Sequence, residues 1–481
     1  MSNNKKEEKK HQHLFSRRDV LKLGGLASLG AGLVSVASLG FINGKSVDTY
    51  SGWEGQEGEI YFDREPFQVD KPPYKILRTE IKKVNGLDAP SDRSNLIKEL
   101  GLDKTGVENA TGALKEYYEQ NPDIMEKDKV LFEEIEPKRK ETEKTLGNRN
   151  ALWTAWNSSW DVLKPKKPGL PEVSDWEGVR KPAYEIKDPK KMSEIIKKVA
   201  GTFGAKIVGI TKLNPAWVYE TSSGGRGWEP GEKVEMPSWW EYAIVVGVPH
   251  EWDSIMATPA FAGEKDGTVQ AAVVGARLER YVKELGYPAR LHAPDSSRFD
   301  ILVPPVMVDA GLGEQGRFSF VITPEFGGNV RTAVITTNLP LEVDKPIDIG
   351  VRDFCKECKL CAEICPSKAI SFDDEPGEIR GRGVEAWFID VDACLHYRQS
   401  VPFTQRCKLC MTVCPWTRKD NWIHKAAKGV IPRDKTSLVA KGLTWAQESF
   451  YEIPDVSEYT DPKWGSYRKA PWFLDVDGVI E

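Results

Sequence analysis

The chain has 481 residues with 67 Lys and Arg, 72 Asp and Glu, and a formal net charge of −5, so no basic nucleic-acid surface is indicated. That length accommodates two or three domains, and 40% hydrophobic with 29% charged residues is the composition of a globular protein. All eight cysteines fall between Cys355 and Cys414, which excludes a disulfide framework spread through the fold.

Residues 1–45 have the form of a targeting segment. Lys5, Lys6, Lys9 and Lys10 give a basic start, and Ser16-Arg17-Arg18-Asp19-Val20-Leu21-Lys22 is a twin-arginine pattern. Leu23 to Ile42 is uncharged and rich in Gly, Ala and Ser, weak in hydrophobicity for a stable span and suited to a signal core. Cleavage after Ala37 and an uncleaved anchor are the two fates considered. Such signals serve the export of folded proteins, which predicts a location on the outer face of the cytoplasmic membrane.

Residues 46–185 are expected to form an N-terminal helical region. Leu114, Tyr117 and Tyr118 make a helical stripe. The charge-rich run Glu126 to Lys144 predicts a solvated helix face. Trp153, Trp156 and Trp160 share one helical face, and Pro165 to Pro171 marks a linker.

From 186 to 345 the pattern alternates between helices and strands. Met192 to Val199 and Val269 to Leu285 predict helices. Ala205 to Ile210, Tyr242 to Val248, Val306 to Val308 and Thr332 to Thr336 predict strands. Gly311-Leu312-Gly313 is a glycine turn that would let backbone approach a ligand, the alternative being an ordinary turn.

Residues 346–425 hold the cysteines. Cys355-x2-Cys358-x2-Cys361-x3-Cys365-Pro366 is followed by Cys394 and by Cys407-x2-Cys410-x3-Cys414-Pro415. This spacing builds two [4Fe–4S] clusters, each run lending its last cysteine to the other cluster. The ligand sets expected are Cys355, Cys358, Cys361 and Cys414 for cluster one, and Cys365, Cys394, Cys407 and Cys410 for cluster two. The segment Ser371 to Asp392 reads as an insertion ending in a strand at Trp387-Phe388-Ile389. The tail, 426–481, is expected to wrap over the surface.

Several stretches in order resemble the respiratory reductive dehalogenases. They include Phe203-Gly204-Ala205, Leu285-Gly286-Tyr287, Ala310 to Glu314, Ile322-Thr323-Pro324, Leu339-Pro340-Leu341, and Gly350-Val351 before Phe354-Cys355. The resemblance implies an α+β fold: a nitroreductase-like cobalamin-binding α/β domain, then a ferredoxin-like double [4Fe–4S] module. It also implies a base-off corrinoid, for which Gly311, Leu312 and Gly313 are candidate contacts. The implied reaction replaces the halogen of a small organohalide by hydrogen, as the terminal step of organohalide respiration. Implied partners are a small membrane anchor protein, a membrane electron donor of the quinol chain and the twin-arginine translocase, with no nucleic acid.

The family's proton donor is a Tyr held by an Arg. The Arg maps onto Arg331, but Val273-Val274-Gly275-Ala276 stands where the Tyr is expected. Tyr287 and His292 are the remaining candidates for the proton. Two alternatives follow: an exported corrinoid/iron–sulfur reductase of another substrate, for which a tRNA-acting epoxyqueuosine reductase is disfavoured by charge and signal, or a non-catalytic iron–sulfur electron carrier.

Overall fold

The computed structural model describes residues 67–145, 179, 181–222, 231–259, 264–293, 300–379, 382–401, 407–417, 431, 438–450, 453–461 and 468–469. The signal segment, the Trp153–Trp160 stripe and the proline linker lie outside these residues.

The helical layer comes first: α1 (Pro90–Glu99), α2 (Gly112–Gln120), α3 (Pro122–Val130) and α4 (Glu136–Lys144). Prolines at the first turns of α1 and α3 occupy positions whose N–H would be unbonded in any case. Between α3 and α4 the chain widens into a π turn, Leu131–Ile135, just before Pro137. The wider turn spares the carbonyl that the Pro137 ring would strike in a regular helix. The run from Glu126 to Lys144 is not wholly solvated, as its charge suggested. Leu131, Phe132, Asp128 and Glu136 are buried, and this stripe packs on α10 (Val391–Ser400) of the cysteine module.

The centre is a four-stranded sheet in the order β1-β2-β6-β3, antiparallel throughout. Its strands are β1 (Ile207–Lys212), β2 (Tyr242–Pro249), β3 (Ala289–His292) and β6 (Val330–Thr337). Both faces are buried, which is why β1 and β2 are nearly continuous apolar runs and β6 carries Ala333-Val334-Ile335 at its centre. Val208, Ile210, Ile244, Val246, Ala333 and Ile335 face α5 (Pro189–Thr202) and α6 (Glu264–Glu284). Alternate residues Ile207, Ala243, Val245 and Val334 face Trp217, Trp240 and α7 (Val303–Asp309).

The last of these elements corrects the expected strand at Val306 to Val308. The chain there is helical, with Pro304 and Pro305 in the first turn, where they cost no hydrogen bond. Val306, Met307 and Val308 are all buried, so their apolar run reflects a helix enclosed on several sides.

A hairpin of β4 (Glu314–Gln315) and β5 (Val321–Ile322) then reaches into the cysteine module. Phe318 and Ile322 are buried in that module's core beside Phe354, Trp387, Leu409 and Trp416. The module's short helices are α8 (Val351–Glu357), α9 (Leu360–Glu363), α10, and α11 (Leu409–Val413). In the inserted segment the strands are β7 (Gly377–Glu378) and β8 (Glu385–Ala386). Ile389 makes only a single bridge to Ile370, so the strand expected at Trp387 to Ile389 begins and ends earlier. In the tail, α12 (Leu438–Phe450) docks on α8 as an amphipathic helix with Ala440 buried.

One buried ionic contact ties the helical layer to the module. Arg93 is fully buried and its Nε lies 2.6 Å from Asp128 Oδ2, while Nη2 lies 2.7 Å from Asp392 Oδ1 on α10, the helix that carries Cys394. Removing one partner of such a cluster leaves buried charge unpaired and costs about 3–5 kcal/mol. Arg93→Met should therefore speed amide hydrogen exchange across α1–α4 on the order of 100- to 1000-fold or more while leaving the central sheet protected. Unchanged exchange in α1–α4 would contradict this role.

Candidate functional site

The eight thiols are all free and lie in two neighbourhoods. Cys361 interacts electrostatically with Cys355, Cys358 and Cys414, and Cys355 with Cys414 and Cys358. Cys410 interacts with Cys407, Cys394 and Cys365, and Cys407 with Cys394 and Cys365. Cys361 and Cys410 also feel one another, so the two groups are neighbours.

Burial pushes the Cys358 and Cys407 thiols up to about 12 and also raises those of Cys355, Cys361 and Cys410. Left as thiols, such groups are inert; iron would ionise them on binding. Among the described residues no three His, Cys, Asp or Glu side chains close round a single ion. A cubane asks for something different, since each sulfur binds its own iron and the four stand round a larger volume. Donors already point at the sulfurs. Cys355 accepts from the backbone N–H of Arg317, Cys358 from that of Leu360, and Cys407 from Leu409 and Thr258. Buried thiols with N–H···S donors are a donor set that fits iron–sulfur clusters.

The loop that follows α7 has a different task from the one its glycines suggested. At Gly311, with φ of 70°, a Cβ would fall 2.2 Å from the Lys345 carbonyl oxygen, and at Gly313 it would fall 2.2 Å from that of Ile322. Leu312 is completely buried. The close approach is therefore to the chain's own backbone, and Gly311, Leu312 and Gly313 do not fit as corrinoid contacts. The turn instead aims two charged side chains at the cysteine module. The Glu314 carboxylate accepts from the N–H groups of Ile349 (2.6 Å), Val351 (3.1 Å) and Arg352 (3.4 Å), capping the start of α8. The Arg317 guanidinium donates to the carbonyl of Cys355, at 2.6 Å from Nη2.

The three candidates for proton chemistry are not brought together. Arg331 pairs with Val248 at one end of β6, and Ala289 pairs with Thr337 at the other. Tyr287, just before β3, thus lies about 20 Å of strand away from Arg331. Its hydroxyl donates to the Tyr184 carbonyl at 2.8 Å, and burial pushes it above its ordinary value, the reverse of what a proton donor needs. His292 pairs with Val334, on the Trp240 face of the sheet. Its ring is fully buried, 3.1 Å from the Thr336 hydroxyl and edge-on to Trp240. Arg331 shares the face of Ala333 and Ile335, so the sheet itself separates it from His292.

What does stand beside Arg331 is His250, a residue the sequence did not single out. It directly follows β2, is 4% exposed, and its carbonyl accepts from Asn329 Nδ2 at 3.1 Å. Gly267 of α6 packs against the His250 ring and the Arg331 stem together. Asn329 is also buried, and its Oδ1 has no hydrogen-bond partner among the described residues. A buried acceptor beside an imidazole and a guanidinium is a place where a bound polar group would be held. Gly328, the residue before Asn329, donates its N–H to the Thr417 hydroxyl at 3.1 Å, which joins this end of the sheet to the end of the cysteine module.

Residues 354–417 match the model of the 4Fe-4S dicluster domain. The chain is 31% identical over 281 residues to a tetrachloroethene reductive dehalogenase of Sulfurospirillum multivorans, covering 51% of this chain and 54% of that one. It is 30% identical over 304 residues to a tetrachloroethene reductive dehalogenase of Desulfitobacterium hafniense, covering 53% of each. The chain thus spans about half the length of the curated relatives it matches. A solved reductive dehalogenase, described in terms of B12-dependent dehalogenation, superposes with a TM-score of 0.58 at 23% identity over 88% of this chain and 56% of its own. That likeness carries the fold: a nitroreductase-like sheet domain followed by an iron–sulfur module.

Burial raises Glu314 to about 7, with Asp348 adding to it and the three N–H groups opposing. A carboxyl whose native value lies above its unfolded one stabilises the fold below the unfolded value, and that contribution is lost as pH rises through about 7. Amide exchange at Ile349 and Val351, corrected for its intrinsic rate, should therefore show easier opening at pH 7.5 than at pH 5.5, and Glu314→Gln should flatten the difference. A wild-type profile already flat would contradict it.

Proposed function

We propose that this relative of the reductive dehalogenases replaces the halogen of a small organohalide by hydrogen, consuming two electrons and one proton and releasing halide. The observation that carries the reading is the alignment with tetrachloroethene reductive dehalogenases across half the chain. It is supported by a cysteine module locked onto the sheet domain by Glu314 and Arg317.

In this reading Cys355, Cys358, Cys361 and Cys414 hold one [4Fe–4S] cluster, and Cys365, Cys394, Cys407 and Cys410 hold a second. A base-off corrinoid, when bound, supplies a low-potential cobalt centre able to break a carbon–halogen bond. Asn329, His250 and Arg331 are the chain's own groups for such a site, because they gather where the sheet edge meets the cysteine module. Arg331 provides positive charge at the reacting edge, where a departing halide gains its negative charge. With Val273 to Ala276 in place of the expected tyrosine, His250 is the group placed to deliver the proton.

The same reading makes the protein a terminal reductase of organohalide respiration. Arg17-Arg18 supports export by the twin-arginine translocase to the outer face of the cytoplasmic membrane. Among the described residues no helix is long and apolar enough to cross a membrane. Attachment through a small anchor protein and reduction by a quinol chain are further parts of the proposal.

Halide release by the anaerobically purified protein, with reduced viologen as donor and a panel of chlorinated alkenes, alkanes and arenes, tests the reading. Release above the protein-free rate is expected. Arg331→Met should lower it on the order of 100-fold at unchanged iron content, as removal of a charge-stabilising donor does elsewhere. Tyr287→Phe should leave it within about twofold, since that hydroxyl lies at the far end of the sheet. No release from any halide by iron-loaded protein would favour the electron-carrier alternative.

A further inference from the structure

Arg317 is fully buried, yet the acceptors of its guanidinium are neutral. Nε and Nη2 donate to the Cys355 carbonyl at 3.1 and 2.6 Å, and Nη1 donates to the carbonyls of Ser371 and Asp373 at 2.9 and 2.7 Å. The planar group lies over the Trp387 ring, 4.9 Å from its centroid. Among the described residues no carboxylate forms an ion pair with it. Asp374, whose carboxyl it influences, is exposed and bound to Lys359. A buried cation without a counter-charge costs several kcal/mol. The group that can supply negative charge is beside it: the backbone N–H of Arg317 donates to the Cys355 sulfur.

We infer that Arg317 is the counter-charge of the cluster held through Cys355, and that together with its N–H···S bond it sets that cluster's reduction potential from the sheet domain. This rests on the proposed assignment of cluster ligands. A fixed cation and a hydrogen bond to sulfur both stabilise the reduced, more negative cluster, so both raise its potential. Arg317 is a positioning residue: it touches a ligand's backbone and sulfur rather than substrate. Its place in the turn after Gly313 means that the same loop that joins the two domains also tunes the electron path between them.

The test is an anaerobic redox titration of full-length, iron-loaded protein, followed by electron paramagnetic resonance of the two reduced clusters, in wild type, Arg317→Gln and Arg317→Lys. Arg317→Gln should move one of the two waves to lower potential by about tenfold in the reduction equilibrium, about 59 mV for one electron, and leave the other in place. Arg317→Lys keeps the charge and should hold both waves within about threefold. Full iron with neither wave moved in Arg317→Gln would overturn the inference, and so would Arg317→Lys shifting as far as Arg317→Gln. Should Arg317→Gln fail to load iron, Arg317→Lys decides. Full iron at native potentials supports the counter-charge, whereas loss of iron in both variants shows a packing role and overturns it. Wild-type protein that binds fewer than about eight iron atoms marks failure of the cluster assignment, a distinct result.

Discussion

The contact on which the rest depends is the grip of one loop on another chain segment. Between Ala310 and Arg317 the chain leaves the sheet domain, turns tightly against Lys345 and Ile322, and presents a carboxylate and a guanidinium to the start of the cysteine module. Glu314 satisfies N–H groups that a helix cannot satisfy for itself. Arg317 gathers three carbonyls, one from α8 and two from the Ser371–Asp373 segment, and so ties those two stretches of the module together. Phe318 and Ile322, buried on the same hairpin, add apolar area to the grip, about 1.5–3 kcal/mol for each such side chain. The module needs this support because its own elements are short. The helices that carry Cys355, Cys361 and Cys410 span one or two turns and have little stability alone.

The sheet fixes which groups can act together. Antiparallel register sets distance along the strands, and the alternation of side chains sets the face. These two rules separate Tyr287 and His292 from Arg331 and bring His250 and Asn329 to it. The end of the sheet where they meet also touches Thr417 through Gly328, so the chemistry proposed for it sits against the 4Fe-4S domain. The Arg93–Asp128–Asp392 cluster plays a parallel part on the other side, binding the helical layer to the helix that bears Cys394.

Much of this was legible in the sequence where the signal is local. Cysteine spacing predicts two groups of thiols, and the thiols do gather in two neighbourhoods, while the apolar runs of β1 and β2 announce strands buried on both faces. The α+β architecture followed from the same runs and from the family resemblance, and the likeness in fold agrees with it. The misreadings share a physical cause. A glycine that permits close approach does not say what approaches, so Gly311 and Gly313 could be assigned to a ligand although backbone fills the space. Val306 to Val308 is apolar because it is enclosed, and enclosure alone does not distinguish a helix from a strand. The run from Glu126 to Lys144 hid Leu131 and Phe132 among charges. Glu314, Arg317, Asn329 and His250 gave no local signal at all. Their roles arise from partners far along the chain, as between Arg317 and Ser371.

The proposed reaction requires one chain to carry a corrinoid beside two iron–sulfur clusters. The most direct measurement is the cobalt and iron content of protein purified anaerobically from a corrinoid-replete host, with the corrinoid extracted and quantified. The account predicts about one corrinoid-bound cobalt and about eight iron atoms per chain. About eight iron atoms with no corrinoid would contradict it and leave an iron–sulfur electron carrier.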